Sequence, residues 1–315
     1  MFIARGVGIS LALFFLLYVP ASVVISRSWP LLLQVFAPRT ARGSANLLFV
    51  LRLLPLVLAS VFTLVFTLPS FLLLEPRSTN EAVGTAPLML GLGCVALLAA
   101  GMVQAASAHM RASRALMKWL DGSTALDSGA AVPVFRTVND APSLTVAGVR
   151  APKVLVSEAT IAALTPPELR LALRHEMAHA QSYDNLKKLL FRFSAFPGTA
   201  GLERAWAEQS ELAADDAAVS SVRDALDLAG ALIKVSRLGT MPLQMELVTG
   251  LLHSSTALRE RVERLVSWEG NAAKAPASNH WQYLLPSLGG ALFLVAATYS
   301  SVLIRLHQVT EWLVR

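Results

Sequence analysis

The sequence predicts a mainly α membrane protein: four transmembrane helices, with one polar α+β domain inserted between the third and the fourth. Three observations predict it. Four charge-free stretches are each long enough to cross a bilayer, which takes about 20 apolar residues. The charged residues gather in one insert, 110–280. Inside that insert a strand pattern gives way to helical periodicity.

Composition sets the bounds. The chain has 315 residues, 54% hydrophobic and 15% charged, with mean hydropathy +0.54. Soluble domains run about 45–50% apolar and about 25% charged, so a soluble two-domain enzyme is excluded. A disordered chain, which needs low hydrophobicity and high net charge, is excluded too. Cys94 is the single cysteine, so there is no intramolecular disulfide framework and no multi-cysteine zinc or iron–sulfur site. The net charge of +6 invites a nucleic-acid reading. Residues 110–280 nevertheless hold 19 Lys/Arg against 18 Asp/Glu, and the other segments 8 against 3. The basicity therefore flanks the apolar runs, as membrane topology requires, and nucleic acid is not an expected partner.

The elements follow in order. Residues 1–109 form a membrane domain with spans at Gly6–Ser26, Leu53–Leu74 and Ala82–Ala108. The first is too long for a signal-peptide apolar core of about 7–15 residues. Residues 110–280 form the polar domain, 281–304 hold the fourth span (Trp281–Ile304), and 305–315 are a short tail. Arg27, Arg39 and Arg42 mark the first loop as cytoplasmic, and Arg111, Arg114 and Lys118 do the same for the start of the insert. Both termini then lie outside, which puts Arg5 on the side that this rule disfavours.

Within the insert, Ala112–Leu120 extends the third span as a helix. Val132–Val138 alternates weakly, as a short strand does. Thr145–Val149 and Val154–Val156 read as strand, turn, strand around Gly148 and Pro152. Thr165-Pro166-Pro167-Glu168 is a capping box with proline in the first turn. Leu169, Ala172, Leu173, Met177 and Ala178 then recur at helical spacing. Further helices are expected over Leu202–Val222, Asp224–Leu238 and Ala257–Val266, and Asn271–Asn279 is a linker.

The capped helix carries Arg174-His175-Glu176-Met177-Ala178-His179. Residues four apart share a helix face, so His175 and His179 can hold one Zn²⁺ through ring nitrogens at about 2.0–2.1 Å. Glu176 is turned about 100° around the axis. That sets its carboxylate beside the open coordination position, as a general base for an activated water. A third ligand is needed. Glu211, leading Glu211-Leu212-Ala213-Ala214-Asp215 on the next helix, is the first choice, with Glu203, Glu208 and Asp216 nearby. Asp215, one turn beyond Glu211, can fix the tautomer of a ligand imidazole. The plain alternative for the histidines is an ordinary helix surface. Lys187, Lys188 and Arg192, among Leu189, Leu190, Phe191, Phe193 and Phe196, read equally as a piece lying on the inner leaflet or as cations at a helix C-terminus.

His175–His179 followed by Tyr183-Asp184-Asn185-Leu186, then Glu211-x-x-x-Asp215, all enclosed by spans, resembles the integral-membrane zinc metallopeptidases of the BlaR/MecR antirepressor type, related to the HtpX and CAAX prenyl protease type. The order of three spans, zinc domain and fourth span is similar to that family's, as is Gly148-Val149-Arg150-Ala151-Pro152-Lys153-Val154-Leu155-Val156 ahead of the zinc helix. The resemblance implies a zincin-like α+β metalloprotease domain and a gluzincin centre: His175, His179 and Glu211 on one Zn²⁺, Glu176 as base and Asp215 behind a ligand. It also implies that the strand Leu144-Thr145-Val146-Ala147 is an edge that pairs with an extended substrate. BlaR-type receptors continue into a penicillin-binding sensor. This sequence runs eleven residues past Ile304, so the expectation is a protein without that domain, served by a separate sensor or regulator. His253-Ser254-Ser255 with Arg261 only loosely echoes the HtpX His-Pro element.

The expected function is a zinc endopeptidase of the bacterial cytoplasmic membrane. Its domain faces the cytoplasm against the lipid bilayer and cleaves a protein or peptide, such as a regulator or a membrane protein. The alternative is a non-proteolytic signalling or assembly module whose structural zinc is closed by a fourth side chain such as Asp184 or Asp215. A transporter fits poorly, because the spans nearly lack ionisable residues.

Overall fold

A computed structural model describes residues 2–75, 84–126, 132–137, 142–238, 249–250, 255–269 and 298–308. The described chain is mainly helical, with one small sheet. Three helical runs are long and apolar enough to cross a membrane: Phe2–Phe36, Ala41–Leu74 and Thr85–Leu120.

Helix α1 covers Phe2–Phe36 and stops where Ala37 takes a positive φ before Pro38. Helix α2 covers Ala41–Phe62 and starts at Thr40, whose hydroxyl accepts from the Gly43 N–H at 3.0 Å. A π-helical turn, Thr63–Thr67, leads into α3, Leu68–Leu74. Pro69 has no N–H to give to the carbonyl four residues back. That carbonyl, on Val65, accepts from the Tyr299 hydroxyl at 2.8 Å. Helix α4 runs unbroken over Thr85–Leu120. Phe14, Tyr18, Ala59 and Cys94 form one shared core between these helices, and Ile9, Leu13 and Phe71 another.

The helices run beyond the expected spans. The first helix passes Ser26 and the second begins twelve residues before Leu53. A charge ends an apolar run but does not end a helix, and arginine is a good helix former. Arg52 therefore lies inside α2. Arg5, on the disfavoured side by the topology rule, sits 3.0 Å from Glu75 at the far end of α3, so its charge is compensated. The expected fourth span falls outside the described residues as far as 297, as do the linker and His253. Residues 298–308 are helical, and Ser70 donates to the Leu303 carbonyl at 2.9 Å.

The sheet has strands β1 (Thr124–Leu126), β2 (Val134–Thr137), β3 (Leu144–Ala147), β4 (Lys153–Ser157) and β5 (Thr249–Gly250), in the order β1-β2-β4-β3-β5. Only β2 and β4 are parallel. Gly148 closes the β3–β4 turn at φ 97°, and a side chain there would press on the Ala151 carbonyl. Strand alternation sends Leu144, Val146, Val154 and Val156 to one face. Ala147 and Leu155 go to the other, against Ala115 and Trp119 of α4.

The open-edge expectation for Leu144, Thr145, Val146 and Ala147 is corrected here. β5 pairs with β3, Thr145 opposite Gly250 and Val146 opposite Thr249, and all four β3 residues are buried. A strand buried on both faces has no water for its outer N–H and C=O groups, and β5 supplies partners.

The remaining helices are α5 (Glu158–Ala163), α6 (Pro166–Gln181), α7 (Asp184–Phe193), α8 (Ala200–Ala218), α9 (Val222–Arg237) and α10 (Ser255–Val266). The capping box starts α6, with the Thr165 N–H donating to Glu168 Oε2 at 2.7 Å. Leu171 and Ala172 of α6 join Leu228, Leu232 and Val235 of α9 over the sheet. The expected Leu202–Val222 helix ends earlier, at Ala218, because Ser221 caps α9 through the Asp224 N–H at 3.1 Å. Tyr183, at φ 55°, breaks α6 from α7.

Candidate metal centre

Two helices supply the grouped side chains. α6 brings His175 and His179 one turn apart, and α8 brings Glu211 over them. All three are buried, and they form a group able to hold a metal ion. His175 Nε2 lies 3.2 Å from His179 Nε2. Each nitrogen is 3.5 Å from a Glu211 oxygen, Oε2 for His175 and Oε1 for His179. A tetrahedral site with bonds of about 2.0–2.1 Å has edges of about 3.3–3.4 Å. The His175–His179 edge is close to it, and each Nε2 lies near that distance from a different Glu211 oxygen.

The groups behind the imidazoles decide which nitrogens are free. His179 Nδ1 lies 2.7 Å from Asp184 Oδ2, which also accepts from the Ser210 hydroxyl at 2.7 Å. His175 Nδ1 lies 3.0 Å from Asp215 Oδ1. Ionised Asp184 only accepts, so His179 Nδ1 carries the proton, whereas His175 Nδ1 lies close to Asp215 without hydrogen-bond geometry. His179 Nε2 then turns its lone pair toward His175 Nε2, 3.2 Å away, beside a third acceptor. Such a trio repels itself unless a cation, metal or proton, stands between its members.

Arg261, on α10, supplies the outer charge. It is 4% exposed. It donates to Glu211 Oε2 at 2.9 Å and to both Asp215 oxygens at 2.8 and 2.7 Å. Burial works against the ionised Glu211, but His179 and Arg261 outweigh it and hold the carboxyl well below its usual range. Asp215 is lowered in the same way, by Arg261 and His175 against burial. For His179, burial disfavours the charged ring, yet Glu211 and Asp184 lift it to about 10. Without a metal the site thus draws in a proton instead.

Glu176 differs from its neighbours. It is 0% exposed, and neither carboxylate oxygen has a hydrogen-bond partner among the described residues. Burial raises it to about 7, with the charges of His175 and His179 opposing. An orphaned buried carboxylate calls for an explanation. Here it fits a group kept for an incoming water or substrate atom.

The expected residues sort clearly. The structure brings His175, His179, Glu211, Glu176 and Asp215 together. The nearby alternatives are elsewhere: Glu203 binds Arg52, Asp216 pairs with Arg264 and Glu208 is exposed. Asp184 and Asp215 face the Nδ1 atoms, so neither is placed to close the centre as a fourth ligand. Lys187 turns to Asp184 at 3.3 Å and lies over the Phe49 ring, which makes it part of the site's surroundings. A cleft beside His179 is lined by Val146, Gly148, Tyr183 and Leu186.

Arg261 and the anchoring role of Asp184 were missed in the sequence. The signal for Arg261 was present: Leu258, Arg261, Val262 and Leu265 form the inward stripe of α10, and an arginine there needs a buried acidic partner. Compared with known proteins, the chain matches no protein-family model and no curated sequence. The roles below therefore rest on this chain's own residues.

Proposed function

We propose that this protein is a zinc-dependent endopeptidase of the bacterial cytoplasmic membrane, in the style of the BlaR/MecR antirepressor and HtpX types. In this reading a fourth helix completes the membrane domain, and the polar domain is zincin-like and cytoplasmic. Its placement is supported by Arg39 and Arg42, which flank the start of α2, where α8 packs through Leu202 and Trp206 against Leu48 and Leu51. The substrate is a protein, a regulator or a membrane protein, and a separate sensor or regulator supplies the trigger.

One observation carries the catalytic reading: the Glu176 carboxylate is fully buried, has no hydrogen-bond partner among the described residues and feels the charges of His175, His179 and Glu211. A zinc ion held by His175, His179 and Glu211 would polarise the scissile carbonyl and acidify a water. The Glu176 carboxylate would accept a proton from the water attacking the carbonyl and return it to the amine nitrogen as the C–N bond breaks. Asp184 keeps the His179 ring in the Nδ1–H form, and the Asp215 carboxylate lies 3.0 Å behind His175. Arg261 holds Glu211 in place and offsets its charge. Water is largely excluded, since every one of these groups is buried, and exclusion strengthens the charge interactions.

The structural-zinc alternative needs four protein ligands, and the positions of Asp184 and Asp215 disfavour it. The test uses the full chain in nanodiscs with a dye-labelled unfolded protein as substrate. Wild type cleaves and holds one zinc. Glu176→Gln keeps the zinc and loses cleavage, and His175→Ala loses both. Equal cleavage by all three overturns the proposal.

A further inference from the structure

We propose that Arg52 is a positioning residue for the metal centre, acting from the membrane helices through α7 and α8. This rests on the metal-binding part of the reading above and not on peptide cleavage. Arg52 lies inside the helical run Ala41–Leu74 that is long and apolar enough to cross a membrane, one residue before the charge-free stretch, and is 3% exposed. An ionisable group there is expensive and calls for a purpose. Its guanidinium grips the C-terminal end of α7: Nη1 donates to Ser194 Oγ at 3.1 Å, and Nη2 to the Ser194 and Phe191 carbonyls at 2.9 and 3.3 Å. Those carbonyls belong to a helix end, where a cation is favoured. Nε donates to Glu203 in the first turn of α8, at 2.9 Å.

The other membrane helices converge on the same spot. Tyr18 of α1 donates to the Ser194 carbonyl at 2.9 Å. Gly101 of α4 faces the Phe193 carbonyl, and a side chain there would run into it. All three long apolar helices thus hold the last turn of α7. The first residue of α7 is Asp184, which orients His179. The far part of α8 carries Ser210, Glu211 and Asp215.

A ten-residue helix is a strut of about 15 Å. Shifting its held end shifts Asp184 and the His179 ring. Metal–ligand distances tolerate only about ±0.2 Å. A latch at one end of α7 therefore acts on the affinity of the site at the other. Glu203 lies eight residues, just over two turns, before Glu211, so α8 transmits from the same guanidinium.

The experiment measures zinc affinity by chelator competition, and the visible spectrum of the Co²⁺-loaded site, for the full chain in phosphatidylglycerol/phosphatidylethanolamine nanodiscs. Arg52→Gln is expected to weaken zinc binding roughly tenfold, the low end for residues behind a metal ligand, and to alter the Co²⁺ spectrum. Arg52→Lys recovers part of both. Arg52→Gln combined with Asp184→Asn weakens binding by less than the product of the single effects, because they share α7. Should Arg52→Gln fail to fold, Tyr18→Phe removes one hydroxyl and lowers affinity roughly threefold. Affinity within twofold of wild type in a folded Arg52→Gln or Tyr18→Phe, or fully multiplicative effects, overturns the proposal. Wild type that binds no metal would instead sink the reading on which it rests.

Discussion

Replacing Arg261 by methionine tests how the buried charges are balanced. The change keeps an unbranched apolar stem and removes the guanidinium with its charge. Three charge-assisted bonds to Glu211 and Asp215 disappear, and two buried carboxylates lose their shared cation. Removing one partner of a buried pair costs about 3–5 kcal/mol. Each unit of stability shifts a melting point by about 2–4 °C for a domain of 150–250 residues. The metal-free variant should therefore melt roughly 6–20 °C below wild type. A bound dication replaces part of the missing charge, so the zinc-loaded variant should recover a substantial part of that gap. Scanning fluorimetry in nanodiscs, with chelator and then with zinc, reads both numbers. A metal-free shift under about 2 °C, or an equal shift with and without zinc, would refute the assigned role of Arg261.

Glu176→Gln should lower turnover by at least about 10²–10⁴-fold, the usual contribution of a positioned acid–base group, with zinc stoichiometry unchanged by elemental analysis. His179 yields a pH dependence. Its metal-free pKa is raised from 6.5 to about 10, so the protonated ring contributes stability that is complete below 6.5 and is lost as pH rises to about 10. Melts of metal-free protein should fall across that window. Competition titrations should show zinc affinity rising with pH over the same range, by up to about tenfold per unit for one displaced proton. Melts that rise from pH 7 to 9 would contradict it. Thr165→Ala, at the start of α6, should cost about 0.5–2 kcal/mol of stability. It should leave Co²⁺ spectra of the loaded protein unchanged, since it lies more than two turns from His175.

Much of the centre was legible because helical spacing is short-range. Thr165 to Glu168 marked the start of α6, His175 and His179 fell on one face, and Glu211 and Asp215 repeated that spacing on α8. What failed was the contact between segments distant in sequence. The β-branched run at Thr145–Val149 signals a strand but says nothing of its neighbour, and Thr249–Gly250, about a hundred residues later, closes the edge of Leu144–Ala147. Arg261 was visible as a charge on an apolar stripe, but its partners lie 46 and 50 residues away. Arg52 looked like the margin of a span because charge was read as a boundary. In the fold it is the residue around which α2, α7 and α8 meet.

X-ray absorption at the zinc edge, on the full chain reconstituted in nanodiscs, tests the central claim most directly. One zinc per chain, with two imidazole nitrogens and light oxygen atoms at about 2.0–2.1 Å, is the expected shell, and it should vanish with His179→Ala. A chain that takes up no stoichiometric zinc, or a shell untouched by loss of His179, would contradict the account.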